Sequence, residues 1–470
     1  MSAGWHGRKY WEEKMETLPR RELLLLQDRR IRGIMRYVWS NSAFYRRRMR
    51  RLGLHPSDFR GRQDLSKIPV TRKEELRRSQ GNCLAKGLRP YEELLCVPHR
   101  LVATSIATSG TTGTPVVVPL TEHDCSMYHG GDLCQRGFVA AGVMPGEIIQ
   151  NAFNYSFWFV CGSTLEFGGG MPYAPSVMLI SHVGNTPLQI EAMRRLGVTV
   201  FSATPSYAIN VIERASEDGF EPGRDLKVNK LLLAGEPGGS IPAVRQRIER
   251  LWRAKAYDIM GMVEVGWTGG ECLLQAGLHL AEDFYFYEFL DPSSEELVSA
   301  GEEGKMVITH LSREAMPLVR YDTCDVARLN EEACACGRTH ARIGGLIGRT
   351  DEMLKVKGLA IYPSALSQSV ARTNGCTGRF LVIVRKDQKE ILDTCVVKVE
   401  YEKGWRDPER LRESLVKDLQ AVMSITPEVQ LVPSGKLSKF ALKSVTVLDL
   451  RKPYAYERYK AAAEIQSLLD

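Results

Sequence analysis

The segment Ala107-Thr108-Ser109-Gly110-Thr111-Thr112-Gly113-Thr114-Pro115 gathers the groups best suited to chemistry in this chain. Its glycines let the backbone turn tightly and aim N–H groups inward as an anion-binding nest. The hydroxyls of Ser109, Thr111 and Thr112 add neutral donors. Such a turn can cradle a polyphosphate; the alternative is a plain Ser/Thr/Gly surface turn. It is not a kinase P-loop, because no Gly-Lys-Ser/Thr closes it and Val116-Val117-Val118 reads as strand rather than helix. Cys272, His279, Cys334 and Cys336 form a second set, three thiols and an imidazole that could complete a tetrahedral zinc site. Cys-x-Cys is a weak spacing, so four unrelated residues remain the other reading. The aromatic run Asn151–Phe159 and the segment Ser202–Tyr207 suit a pocket for a flat apolar ring, and suit a core equally well.

The chain is long enough to build a frame for these groups. Its 470 residues, 44% hydrophobic and 25% charged, have ordinary globular proportions and lead us to expect two or three domains. With 63 Lys+Arg against 56 Asp+Glu, the net charge of +7 is too dilute for a nucleic-acid footprint. The run Arg46-Arg47-Arg48-Met49-Arg50-Arg51 reads as a solvated helix end. There is no long apolar stretch for a membrane span, the amino terminus lacks the apolar core of a secretory signal, and the 11 cysteines read as reduced thiols. A cytoplasmic protein is expected.

Residues 8 to about 52 have apolar positions three or four apart and predict helix, ended by Leu52-Gly53. Further on, β-branched runs such as Val198–Phe201 and Leu231–Leu233 alternate with helix-like Gln189–Leu196 and Val244–Trp252, which implies helix-covered parallel or mixed sheets. Beyond Arg349-Thr350-Asp351 the pattern becomes compact. Strand-like Phe380–Val384 and Thr394–Val399 precede the helix-like Pro408–Met423. The expected fold is α/β (α+β overall), with domains at 1–350 and 351–470.

Thr108–Pro115 resembles the phosphate loop of the adenylate-forming superfamily, and the chain as a whole resembles the phenylacetate–CoA ligase family within it. Matching segments occur in family order: AlaGlyGluProGly at 234–238, MetGlyMetValGlu at 260–264, ArgTyrAspThrCysAsp at 320–325 and GlyArgThrAspGluMetLeuLysValLysGly at 348–358. ThrLeuProArg at 17–20 and LysSerValThrValLeuAsp at 443–449 also fit. The resemblance implies a large adenylation domain and a small mobile C-terminal domain. It implies an ATP-dependent, AMP-forming ligase that makes an acyl-adenylate from an aromatic acid and passes the acyl group to coenzyme A. Transfer to a carrier-protein thiol or an amine, or a nucleotide-binding relative without catalysis, are the other readings.

On the same resemblance, Ser109, Gly110, Thr111, Thr112 and Gly113 would hold the phosphates. Glu236, Pro237, Gly261, Met262, Asp325 and Arg349 would hold the rest of the nucleotide, with Asp325 on the ribose hydroxyls. Glu264 would hold Mg²⁺, and Lys443 would be the catalytic lysine, identified by Asp449 six residues later, with Lys436 and Lys439 as competitors. Tyr155, Phe157, Trp158, Ala203, Tyr207 and Gly235 would line the acyl pocket, Lys357-Gly358 would move beside the thiol tunnel, and Asp351 would be the hinge between domains. The sequence departs from the family at Met260, where Tyr is usual, at Val263, where a hydroxyl residue is usual, and at Thr114, where many superfamily members carry Lys. Zinc on the Cys/His set, a homodimer and a carrier-protein partner stay open.

Overall fold

The computed structural model describes residues 9–108, 114–128, 132–153, 177–180, 185–351, 354–356, 359–386, 393–423, 425–437 and 447–451. The chain divides into two compact units, 1–239 with 249–346, and 240–248 with 347–470. The division falls after Leu346, a few residues before the expected 350, so Arg349 belongs to the second unit.

One sheet runs through the first unit. Its parallel half is ordered Val177–Ile180, Ile148–Asn151, Val200–Ala203, Lys230–Leu233, Lys255–Met262. Leu231–Leu233 of the strand Lys230–Leu233 is buried throughout, which is why it reads as an unbroken apolar run. Lys255–Met262 is the switch. One edge pairs in parallel with Lys230–Leu233, the other antiparallel with Gly266–Glu271, and the sheet continues antiparallel through Leu278–Leu280, Arg342–Ile343, Tyr321–Asn330, Glu303–His310 and Tyr285–Leu290. Thr104–Ala107 and Val117–Leu120 form a separate antiparallel pair, on either side of the glycine-rich segment in the sequence. The helices Thr186–Leu196 and Pro205–Glu217 start at side-chain caps: Asn185 accepts from the Leu188 N–H at 3.1 Å and Thr204 from the Tyr207 N–H at 3.2 Å.

The expected helix over 8–52 is corrected. It is three helices, Glu13–Glu16, Arg20–Asn41 and Ala43–Arg51. Pro19 has no N–H to continue the first helix. Extended backbone at Ser42 interrupts the second, and its hydroxyl caps the third by accepting from the Tyr45 N–H. Gly53 does take a positive φ of 67° at the end. In the basic run, Arg47 and Arg48 pair with Glu93 and Glu75.

A buried ion pair ties the helix Asp132–Ala140 to the sheet region. Arg136 meets Asp283 through two bonds of 2.8 Å, with Asp283 1% exposed. Burial pushes the Asp283 carboxyl up, but the charge of Arg136, reinforced by His340, outweighs it and holds the group down at about 2. A depressed carboxyl stabilises the fold above its ordinary pKa near 3.8 and loses that contribution as pH falls toward 2. Asp283→Asn is expected to cost about 3–5 kcal/mol at neutral pH, because it leaves a buried guanidinium without its bidentate counter-charge, the Glu12 carboxylate standing farther off at 3.6 Å. Urea unfolding of the variant should show a smaller loss of stability between pH 4 and 2 than the parent.

The second unit is a four-stranded sheet ordered Glu428–Pro433, Asp393–Tyr401, Cys376–Lys386, Val447–Asp449. The two central strands are antiparallel and each outer strand joins in parallel. The helices Pro363–Arg372 and Pro408–Met423 supply Leu366, Val370, Leu411, Leu415 and Leu419 to a core with Val382, Val384, Val397 and Val399. The four-residue rhythm Leu411, Leu415, Leu419, Met423 is the buried stripe of an amphipathic helix. Among the described residues no helix is long and apolar enough to cross a membrane.

Candidate active site

The parallel strands deliver six of the expected site residues to one edge. Ala203 ends Val200–Ala203, Gly235, Glu236 and Pro237 follow Lys230–Leu233, and Gly261 and Met262 end Lys255–Met262. The carboxyl ends of parallel strands are where open α/β sheets bind ligands, because the chain must leave the sheet there and its turns can surround a small molecule. Gly235 has φ of 85°, which disfavours a side chain. A Cβ there would approach Thr204 at 3.6 Å and Phe153 at 3.9 Å. Glu236 accepts from the Ser206 hydroxyl at 2.9 Å and from the Ser206 backbone N–H at 3.3 Å, joining the segment after Lys230–Leu233 to the start of the helix Pro205–Glu217. Tyr207 exchanges a hydrogen bond of 3.1 Å with Thr186, and burial pushes its phenol up.

Glu264 sits in the turn between Lys255–Met262 and Gly266–Glu271 and is 4% exposed. Its carboxylate contacts Lys73 Nζ at 2.9 Å and accepts from the Tyr321 hydroxyl at 3.0 Å. Arg313 pins the turn from below, donating to the carbonyls of Glu264 at 2.9 Å and Val265 at 3.1 Å. His310 Nδ1 accepts from the Leu318 N–H and its Nε2 lies 3.1 Å from the Val265 carbonyl. Burial, with the Arg313 charge second, pushes its pKa well below the ordinary value, so the ring is neutral. Tyr321 opens the strand Tyr321–Asn330, and the buried Asp325 follows on it within about 13 Å at extended spacing.

The helix Lys73–Ala85 also holds the residues that follow the glycine-rich segment. Arg77 Nε donates to the Thr114 carbonyl at 3.0 Å, and the Gln80 amide pairs with both the N–H and the carbonyl of Val117, at 2.9 and 2.7 Å. Thr108 and Val116 close the neck: the Thr108 hydroxyl accepts from the Val116 N–H at 2.9 Å, and the Thr108 N–H reaches the Val116 carbonyl at 3.0 Å. Ser109, Gly110, Thr111, Thr112 and Gly113 lie outside the described residues, as do Tyr155, Phe157, Trp158, Lys357, Gly358, Lys439 and Lys443. In the second unit, Arg349 and Asp351 pair with each other through bonds of 2.9 and 3.0 Å. Lys73, Tyr321, Arg77 and Gln80 were not singled out from sequence. Tyr321 lies inside the quoted 320–325 segment and could have been; nothing local marks the other three.

Cys272, His279, Cys334 and Cys336 come together, all ligand atoms within 4.8 Å of one another. Cys272 and Cys334 sulfurs are 4.0 Å apart, and Cys336 Sγ is 3.4 Å from His279 Nε2. Ligands about 2.3 Å (sulfur) and about 2.0 Å (nitrogen) from a tetrahedral ion stand roughly 3.5–3.8 Å apart, so the donor set fits zinc. Hydrogen bonds from Cys272, from His279 and from the Arg338 N–H push the Cys336 thiol down, against its burial. Gly337 turns the Cys-x-Cys segment with φ of 85°, and a Cβ there would strike the Tyr10 hydroxyl. Arg338 is neutralised by the buried Glu16 at 2.7 Å, and the Thr339 N–H donates to the Glu16 carbonyl, so the N-terminal segment is fastened over this cluster.

Residues 358–451 match the family described as AMP-binding enzyme C-terminal domain. A phenylacetate-coenzyme A ligase of Thermus thermophilus is 33% identical over 463 residues, covering 94% of this chain and 100% of that one. A phenylacetate-coenzyme A ligase of Escherichia coli is 30% identical, covering 93% and 97%. Among solved structures, 2-hydroxyisobutyryl-CoA ligase in the postadenylation state, in complex with 2-HIB-AMP, superposes with a TM-score of 0.86 at 25% identity, covering 98% of this chain and 96% of that one. An anthranilate CoA ligase in complex with anthranoyl-AMP shares the fold at a TM-score of 0.52 and 16% identity.

Proposed function

This chain belongs to the phenylacetate–CoA ligase family, and on that premise we propose that it activates an aromatic carboxylic acid with ATP and passes the acyl group to coenzyme A. In the first half-reaction a carboxylate oxygen attacks the α-phosphorus of ATP, forming the acyl-adenylate as pyrophosphate leaves. In the second, the coenzyme A sulfur attacks the acyl carbon, and AMP leaves. Two anions meet in the first step, so the protein must supply position and positive charge rather than a nucleophile.

The residues divide this work. The turn 109–113 cradles the phosphates, and Lys73 supplies the cation that Thr114 does not. Glu264 would hold Mg²⁺, which compensates phosphate charge when bound; a buried carboxylate is the hard oxygen ligand this ion takes. Asp325 accepts from the ribose hydroxyls, with Glu236, Pro237, Gly261, Met262 and Arg349 around the nucleotide. Ala203, Tyr207, Gly235, Tyr155, Phe157 and Trp158 enclose the acid. Residues 1–350 act as the adenylation domain and 351–470 as the small mobile domain, with Asp351 as hinge and Lys443 stabilising charge at the α-phosphate. The cytoplasm, which holds ATP and coenzyme A, is the proposed location.

The observation that supports this reading most is the end-to-end relationship to curated phenylacetate–CoA ligases, with Glu264, Lys73 and Tyr321 converging at the carboxyl edge of the parallel strands. The test is exchange of labelled pyrophosphate into ATP across a panel of arylacetic and benzoic acids, followed by AMP release with and without coenzyme A. Acid-dependent exchange with coenzyme A-dependent AMP release is expected. Exchange without coenzyme A-dependent release would move the acceptor to a carrier thiol or an amine, and an ADP product would reject the scheme.

Cys272, His279, Cys334 and Cys336 would hold a structural Zn²⁺, remote from the chemistry, that clamps two chain segments. Metal analysis of the purified protein is expected to find about one zinc per chain, and Cys334→Ser to lower both the zinc content and the unfolding temperature. Protein free of zinc with an unchanged melting curve after chelation would remove the assignment.

A further inference from the structure

Lys73, Arg77 and Gln80 are spaced i, i+4, i+7 and therefore share one face of the helix Lys73–Ala85. Each holds a different part of the surroundings: Lys73 the Glu264 carboxylate, Arg77 the Thr114 carbonyl, and Gln80 both backbone groups of Val117. The helix thus fixes the spacing between the Glu264 turn and the flank of residues 109–113, with about 6 Å of axial rise from Lys73 to Arg77. We infer that Arg77, supported by Gln80, is a positioning residue for ATP, setting the exit of the phosphate-binding turn against the Lys73–Glu264 pair. This rests on the reading of 109–113 as the triphosphate cradle.

The chemistry of the two grips differs. Gln80 is 4% exposed, and its amide pairs with Val117 as a neighbouring strand would, so it sets the register of the chain leaving the turn. Arg77 acts at the exposed residue Thr114, with its guanidinium also 3.3 Å from Glu74. A hydrogen bond to so exposed a carbonyl is replaced readily by water and contributes little to folding. Its remaining consequence is order. A nest binds phosphate well only if its N–H groups already converge, and freedom at residue 114 would have to be removed again on each binding event.

The experiment compares wild type, Arg77→Ala, Arg77→Lys and Gln80→Glu in pyrophosphate exchange, in coenzyme A transfer from supplied acyl-adenylate, and in thermal unfolding. For Arg77→Ala we expect KM for ATP to rise about tenfold, exchange kcat to change less than about threefold, and transfer from acyl-adenylate to match wild type. Arg77→Lys, which keeps one donor for the carbonyl, should recover part of the ATP KM. Gln80→Glu, which keeps the acceptor for the Val117 N–H and loses the donor, should raise it too. A folded Arg77→Ala with an unchanged KM for ATP overturns the inference, as does a parallel fall in both half-reactions and in unfolding temperature. If wild type itself shows no acid-dependent exchange, the functional reading fails instead.

Discussion

Lys443→Ala is expected to slow acid-dependent pyrophosphate exchange by about 10²–10³-fold, the usual loss when one preorganised group is removed from a developing charge. A mobile ammonium compensates charge as carboxylate and α-phosphate meet, and no neutral side chain replaces it. The unfolding free energy should change by less than about 0.5 kcal/mol. The assignment rests on the interval to Asp449, a buried residue ending the strand Val447–Asp449 and paired with Arg451 at 2.8 Å. Lys436→Ala is the control, since Lys436 is exposed in the turn after Glu428–Pro433 and its loss should leave exchange at the wild-type rate. Were the two variants to exchange their effects, Lys436 would be the catalytic lysine and Lys443 the bystander.

Glu264→Gln should lower exchange by a similar factor, about 10²–10³, and raise the Mg²⁺ concentration needed for half-maximal rate. The amide keeps the shape of the side chain and can still accept from Tyr321, so the turn held by Arg313 should stay intact. What disappears is the anionic oxygen that a hard cation requires. Lys73, whose side chain is 28% exposed, is left without its counter-ion but can hydrate, so the stability loss should be small. Coenzyme A transfer from supplied acyl-adenylate should suffer much less than exchange, because the triphosphate has already gone. An unshifted Mg²⁺ dependence in the folded variant would remove Glu264 from the metal role.

Some of this molecule can be read in its residues because the signals are local. Asn185 and Thr204 cap helices a few residues away, Leu411, Leu415 and Leu419 repeat at the helical period, and apolar runs such as Leu231–Leu233 mark strands buried on both faces. Local periodicity also misled: apolar spacing ran through Ser42 without a visible break, yet its hydroxyl began a new helix there.

Glu264 shows where such reading stops. Its place in the 260–264 segment suggested a metal-binding carboxylate; what that segment does not carry is that Lys73, from the first turn of a helix far earlier in the chain, and Tyr321, from a strand well beyond it, meet it. The cysteine–histidine cluster is a partial exception: its four ligands could be grouped from the sequence and do converge, whereas the Glu16–Arg338 pair that fastens the N-terminal segment over them could not be read there. Residue identity dictates what a turn, a cap or a strand can do within a few positions. Which charges stand within 3 Å of one another depends on how long-range strand pairing folds the chain back, and only the assembled sheet decides that.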